Sequence, residues 1–292
     1  MPKVVLYGYL SIDGIVAPGV RSDAVAGGAA LYGALGARMA GAEAAIVACR
    51  GEDYPAAWIA ALAGLGIDVS WIRPAAGPTR RARIRHASGG DRASSHYGEA
   101  LWWERTAALR PPVVGPAADI AVLCPMPPVH AAAILAGLDC PAVADTSEAF
   151  AAAGPAEWPA GGLELLPRLR LFAPSREETA LLLPDVADDA AVVALASRGC
   201  DIVQKRGSAG LAYCRAGDTR VVTVAPPPAT VLDPTGAGDA TVGALAARIA
   251  AGDTLDAACR VAVRVGAAAV AGIGPSALGL ATPPFPSPAT TH

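Results

Sequence analysis

The sequence predicts an α/β protein with a mostly parallel central sheet, helices on both faces and a small β-stranded lid. Three observations carry this expectation. Short apolar runs alternate with helix-period segments along most of the chain, as strand–helix–strand units do. Residues 79–87 break that alternation with a strict period of two. Finally, Asp233-Pro234-Thr235-Gly236-Ala237-Gly238-Asp239 runs directly into an apolar segment of helical period, a loop-to-helix junction suited to holding an anion.

In chain order, residues 4–10 read as a buried first strand feeding a turn at Asp13-Gly14. Gly27 and Gly28 precede a helix marked by Leu31, Leu35 and Met39, and the absence of side chains there allows a close approach to the backbone. Residues 44–49 form a second strand, 54–65 a helix and 69–72 a third strand. Arg81, Arg83 and Arg85 then alternate with Ala82, Ile84 and His86, followed by Ser88-Gly89-Gly90-Asp91 and a further stretch through Tyr97, which is a hairpin signal. The three arginines share one strand face, which reads as solvated. Trp102 and Trp103 read as packing for the lid. Residues 119–124 and 142–145 resume the buried strands, with 129–138 the helix between them. Asp145 stands at a strand's carboxyl end, the edge where open α/β sheets bind ligands. Residues 169–173 form another strand. Ser175 is placed to cap the helix after it, with Glu178 in the capping-box position. The pair of strands 200–204 and 211–214 flanks Lys205-Arg206-Gly207-Ser208-Ala209-Gly210. A last helix covers 255–271, and the proline-rich tail from 283 to 292 reads as disordered.

The chemistry concentrates at Asp233–Asp239. Gly236, Ala237 and Gly238 obstruct nothing, so their amides and the positive end of the helix dipole converge on one spot. Asp239, in the first helical turn, stays ionised at neutral pH and is able to take a proton from an alcohol.

This stretch resembles the C-terminal signature of the ribokinase or PfkB family of carbohydrate kinases. The resemblance implies a three-layer ribokinase-like fold over the whole of 1–292, with a lid formed by about 14–26 and 78–103. It implies transfer of the γ-phosphate of ATP to a hydroxyl of a sugar, cyclitol or related polyol. Asp239 then matches the catalytic base, and Gly236, Ala237 and Gly238 the anion hole. Lys205, Gly207, Gly210, Thr235 and Gly274 fall where the family holds the nucleotide. Asp13, Gly27, Gly28 and Tyr32 fall at its substrate contacts, Tyr32 replacing a usual asparagine. Glu178 matches the glutamate that organises magnesium-bound water, with Ser175 replacing another asparagine, and Asp233 with Thr235 matches a monovalent-cation site for potassium. A nucleoside kinase, or a sensor of the same fold that binds sugar or nucleotide without turnover, is the alternative. A neutral polyol ranks ahead of a nucleoside, and both ahead of a sugar phosphate, because Asp13 repels an anion.

The bulk properties agree. A net charge of −3 over 292 residues argues against a nucleic-acid binder, and the six cysteines show no C-x-x-C pair. Met1-Pro2-Lys3 leads into a strand and charges interrupt the apolar runs, so a cytoplasmic protein without a membrane partner is expected. A homodimer through the lid is the expected assembly. Neither a G-x-x-x-x-G-K-[ST] loop nor a G-x-G-x-x-G after the first strand occurs, and the four histidines lack metal-ligand spacing.

Overall fold

The computed structural model describes residues 1–87, 92–96, 102–151, 161–281 and 283–285. Their centre is a nine-stranded sheet. Its strands are β1 (Lys3–Tyr7), β4 (Glu43–Arg50), β5 (Ile72–Pro74), β8 (Ile120–Leu123), β9 (Ala142–Ala144), β10 (Leu171–Phe172), β11 (Asp201–Lys205), β12 (Leu211–Cys214) and β13 (Val222–Val224). Their order is β13-β12-β11-β10-β9-β8-β1-β4-β5, parallel except where β12 runs against β11 and β13. β13 went unread in the sequence because residues 222–224 are too short and too exposed to show a pattern.

Alternation along β1 builds two cores. Val4 and Leu6 face one layer, while Val5 and Tyr7 face the other. The first layer holds α1 (Ala29–Met39), α2 (Ala56–Gly64), α9 (Ala237–Ala250) and α10 (Leu255–Ala269); the second holds α4 (Pro128–Ala136) and α8 (Asp188–Ala196). Between them in the chain lie α3 (Trp102–Ala108), α5 (Glu148–Ala151), α6 (Gly161–Glu164) and α7 (Arg176–Leu182). Helices α1 and α9 cross at backbone contact. A Cβ on Gly36 would overlap Ala240, and one on Gly243 would overlap Gly33. Small residues at this crossing thus fix the Gly27-Gly28 turn, which opens α1, against the signature turn, which opens α9.

The second sheet has four strands in the order β3-β2-β6-β7, with β2 (Ser11–Ala17), β3 (Val20–Gly27), β6 (Arg80–His86) and β7 (Arg92–His96). The first strand is shorter than the apolar run suggests, because the chain leaves β1 at Tyr7 and enters β2 at Ser11. Asp13 therefore lies within a strand and not in a turn. A register shift between Asp13 and Ile15 bends β2 there, as a bulge does. Residues 88–91 and 97–101 and the side chains of Trp102 and Trp103 fall outside the described set.

The tail is docked further than its composition suggests. Trp58 Nε1 donates to the Pro283 carbonyl at 2.8 Å, and the Phe285 ring lies 5.8 Å from that of Trp58. An indole N–H and an apolar ring contact hold these residues against α2; residues 286–292 fall outside the described set. All six cysteines are free. Among the described residues no helix is long and apolar enough to cross a membrane.

Candidate active site

The polar residues gather at the carboxyl edge of the parallel strands. Asp145 follows β9, Ser175 follows β10 and Lys205 ends β11, which is where an open α/β sheet presents a crevice. The lid rises from the same edge, after β1.

The signature turn opens α9. Gly236 is the N-cap with φ 75° and ψ 0°, a left-handed conformation that glycine adopts without strain. A side chain there would also overlap the Tyr32 ring. The Ala237 amide donates to the Pro234 carbonyl at 3.3 Å, closing the turn. Of the three amides expected to face an anion, Ala237's is therefore already engaged, and the first-turn amides that have no carbonyl one turn back are the remaining donors. Asp239 stands in that first turn.

Asp233 is fully buried and secured by protein donors. Its Oδ1 accepts from Thr235 N at 3.0 Å and its Oδ2 from Gly274 N at 2.7 Å. His86, at the end of lid strand β6, brings Nε2 to 2.8 Å from Thr235 Oγ1 and 3.3 Å from Asp233 Oδ1. Against the cost of burial, these donors hold the Asp233 carboxyl below the usual carboxylate range. A monovalent cation does not fit this donor set. The carboxylate and hydroxyl that the family resemblance assigns to it already face N–H groups, whose positive ends repel a cation. Gly274, expected at the nucleotide, here pins the signature turn.

Lys205, expected to meet phosphate as a point charge, has its ammonium 2.5 and 2.6 Å from the two Asp145 oxygens. Burial works against its charge, yet Asp145, Glu178 and Asp239 together raise its pKa, so it stays protonated. A Cβ on Gly238 would lie 3.8 Å from Lys205 Nζ, so this ammonium stands beside the first turn of α9. Glu178 completes a capping box: its Oε2 accepts from Ser175 N at 2.6 Å while Ser175 Oγ accepts from Glu178 N at 3.1 Å. Gly210 has a structural cause, since a side chain there would overlap the Val224 carbonyl of β13, whereas Gly207 faces open space.

Across the crevice, Asp13 is 3% exposed. Its carboxylate covers Gly27 so closely that any side chain at 27 would overlap it, and Gly28, at φ 101°, packs as tightly on the Tyr9 carbonyl. Burial pushes Asp13 up to about 6; the Ser11 hydroxyl and the Arg80 charge oppose that rise and the Asp233 charge adds to it. Asp13 Oδ1 has no hydrogen-bond partner, nor do the buried hydroxyls of Tyr32 and Tyr54. Burial and the Asp13 charge raise both tyrosines. Tyr32 is 2% exposed and lies between Gly236 and Gly274, under the signature turn, so its ring serves packing and only its hydroxyl is available to a ligand.

Sequence reasoning passed over Arg80, His86 and Tyr54. Arg83 and Arg85 are exposed, as their face predicts, and Arg81 pairs with Asp53 at 2.5 Å. The same alternation turns Arg80, Ala82, Ile84 and His86 inward, and Arg80 lies 4.1 Å over the Tyr9 ring. That period-two signal was present for Arg80 and His86; Tyr54, just before α2, carries none.

No group of three His, Cys, Asp or Glu side chains among the described residues forms a metal cage. Magnesium bound chiefly by nucleotide phosphates and water needs at most one or two carboxylates, and Glu178 beside Lys205 fits that requirement.

Known proteins share this fold. The chain matches an Escherichia coli ribokinase-fold structure holding ATP and Mg2+ with a TM-score of 0.72 at 20% identity, covering 96% of each chain. It matches the ribokinase of Thermotoga maritima with a TM-score of 0.69 at 19% identity over 95% of this chain and 96% of that one. A Burkholderia thailandensis nucleoside kinase in complex with inosine gives a TM-score of 0.75 at 19% identity over 94% and 92%. In sequence, 101 residues are 34% identical to a cytidine kinase of Thermococcus kodakarensis; they span 34% of this chain and 36% of that relative's length. The profile of the pfkB family carbohydrate kinases matches residues 1–282, and the chain belongs to that family.

Proposed function

We propose that the protein transfers the γ-phosphate of ATP to a hydroxyl of a small neutral polyol, a sugar or cyclitol, in the cytoplasm. The observation that carries this reading is Asp13: a buried carboxylate with an unpartnered Oδ1, held at the foot of the lid on the glycine turn that α1 locks to the signature helix. A carboxylate so placed accepts hydroxyl hydrogens. Arg80 is the inward cation that a sugar phosphate would call for, but its charge faces Asp13, which leaves the pair without net charge and favours a neutral acceptor.

Asp239 takes the proton of the attacking hydroxyl. The amides at the start of α9, with Gly236 and Gly238 bare of side chains, stabilise charge on the phosphoryl group. Lys205, kept charged by Asp145, holds the phosphate side electropositive. Glu178 is the carboxylate that would face the water of a nucleotide-bound magnesium, which would supply charge neutralisation at the phosphates.

A nucleoside is the second reading. The cytidine kinase and the inosine-bound kinase support it, and a nucleoside's ribose offers Asp13 the same hydroxyls. Two copies pairing through the outer lid face, where Arg83 and Arg85 are exposed, belong to this proposal and are checked by sedimentation.

The test is product formation from ATP across neutral sugars, cyclitols, nucleosides and sugar phosphates, followed by mass spectrometry. Transfer to a neutral acceptor, lost by at least ~100-fold in kcat in Asp239→Asn, is expected. Binding without turnover on the whole panel would favour a sensor, and transfer to sugar phosphates alone would overturn the neutral-acceptor ranking.

A further inference from the structure

Asp233 and Thr235 begin the turn that aims the α9 amides and Asp239, so whatever fixes these two residues fixes the reacting geometry. On the main-domain side the work is done by Gly274 N and by the turn's own amide. On the other side the contact comes from the lid. His86 belongs to β6, its ring is buried, and Nε2 reaches both Thr235 Oγ1 and Asp233 Oδ1. We assign the proton to Nε2, because the Asp233 carboxylate oxygen 3.3 Å away would repel a bare nitrogen lone pair there. Nδ1 is buried and has no partner, so the contact at Nε2 is the one polar bond the ring makes among the described residues.

We infer that His86 is a positioning residue for phosphoryl transfer: its Nε2–H occupies the place of a monovalent cation at Asp233 and ties the lid strand to the signature turn. The inference rests on the kinase reading above. It follows from the direction of the donor. An N–H that hydrogen-bonds Thr235 Oγ1 and stands 3.3 Å from the buried Asp233 Oδ1 supplies the positive end that a cation would supply, and two positive groups do not share the spot. The ring also makes the turn's geometry depend on the lid, because β6 delivers it and a lid held away from the crevice would withdraw it.

The experiment has two arms. Thermal denaturation is followed in KCl and in tetramethylammonium chloride at equal ionic strength. The wild-type midpoint is expected to be the same in both, whereas His86→Ala, which exposes Asp233 to a cation, gains ~2 °C or more in KCl. In the kinetic arm His86→Ala lowers kcat on the order of 10–100-fold with little change in the KM for ATP, the signature of a misplaced reacting group. His86→Gln, which keeps an N–H donor near the Nε2 position, recovers most of that loss. Stabilisation of the wild type by potassium, or an alanine variant with wild-type kcat, overturns the inference. Should the alanine variant not fold, His86→Met keeps the bulk without the donor, and equal behaviour of the Met and Gln variants overturns it as well. If the wild type phosphorylates no acceptor, the kinase reading fails, while the thermal arm still decides whether His86 holds the cation's place.

Discussion

The two walls of the crevice differ in how their polar groups are satisfied. On the signature side nearly every charge has a protein partner: Asp233 has Thr235, Gly274 and His86, Lys205 has Asp145, and Glu178 has Ser175. Around Asp13, by contrast, its Oδ1 and the hydroxyls of Tyr32, on α1, and Tyr54, before α2, are buried and unpartnered. A buried polar atom without a partner costs about 1–3 kcal/mol, so a fold tolerates several in one place only where something else completes them. On the proposed reading, the paired wall is the rigid one and the unpaired wall is the one that an acceptor would complete.

The largest way to break this contrast is to unpair the rigid wall. Asp145→Asn leaves the buried Lys205 ammonium without its main partner and should destabilise the fold by about 3 kcal/mol, the lower end for a broken buried pair because Glu178 and Asp239 also face the lysine. Chemical denaturation measures it; a loss under ~1 kcal/mol would mean that the pair is not the anchor described here.

Removing the unsatisfied charge from the other wall should act in the opposite direction. Asp13 rises from 3.8 to about 6 on folding, so the folded chain binds the extra proton between those values. Stability contributed by this group is therefore full below pH 3.8 and is lost as pH rises through 6, a change of ~3 kcal/mol. Asp233, with its lowered value, acts in the opposite sense and at lower pH. Asp13→Asn should be more stable than the wild type at pH 7, with the gap closing as pH falls from 6 to 4; denaturant midpoints across that range test it. Acceptor KM in the wild type should fall as pH rises through about 6, where the carboxylate gains its charge.

A smaller effect sharpens the contrast at the signature turn. Gly236→Ala forces a side chain into φ 75° against the Tyr32 ring, and a loss of about 1–3 kcal/mol is expected together with reduced turnover. The smallest is a control. Arg83→Ala, on the exposed lid face, should stay within about 0.5 kcal/mol and leave kinetics unchanged. A change in acceptor KM there would mean that the outer arginines reach the crevice.

Many of the residues in these walls are legible in the sequence, but unevenly. The signature turn could be read because its glycines, its carboxylate and the helix after them are contiguous, and the Ser175–Glu178 capping box is equally local. Asp145 and Lys205 each stood out at a strand end, yet their pairing joins residues 60 apart in sequence, which no local pattern encodes. Alternation in β6 makes the outward arginines legible, while the groups that inward Arg80 and His86 meet lie on other elements and leave no local pattern. Lys205 and Gly274 show what motif position leaves out: beside the nucleotide contacts it suggests, packing pairs one with Asp145 and uses the other to secure Asp233. Gly33, Gly36 and Gly243 carry no local signal, yet they form the crossing that sets the two walls against each other.

The division between the walls is tested most directly by steady-state kinetics of Asp239→Asn and Asp13→Asn side by side, with whichever neutral acceptor the wild type turns over. The account predicts that Asp239→Asn loses at least ~100-fold in kcat with acceptor KM nearly unchanged. It predicts that Asp13→Asn raises acceptor KM by about 10-fold or more with a smaller change in kcat. The reverse pattern, with kcat carried by Asp13 and acceptor KM by Asp239, would contradict it.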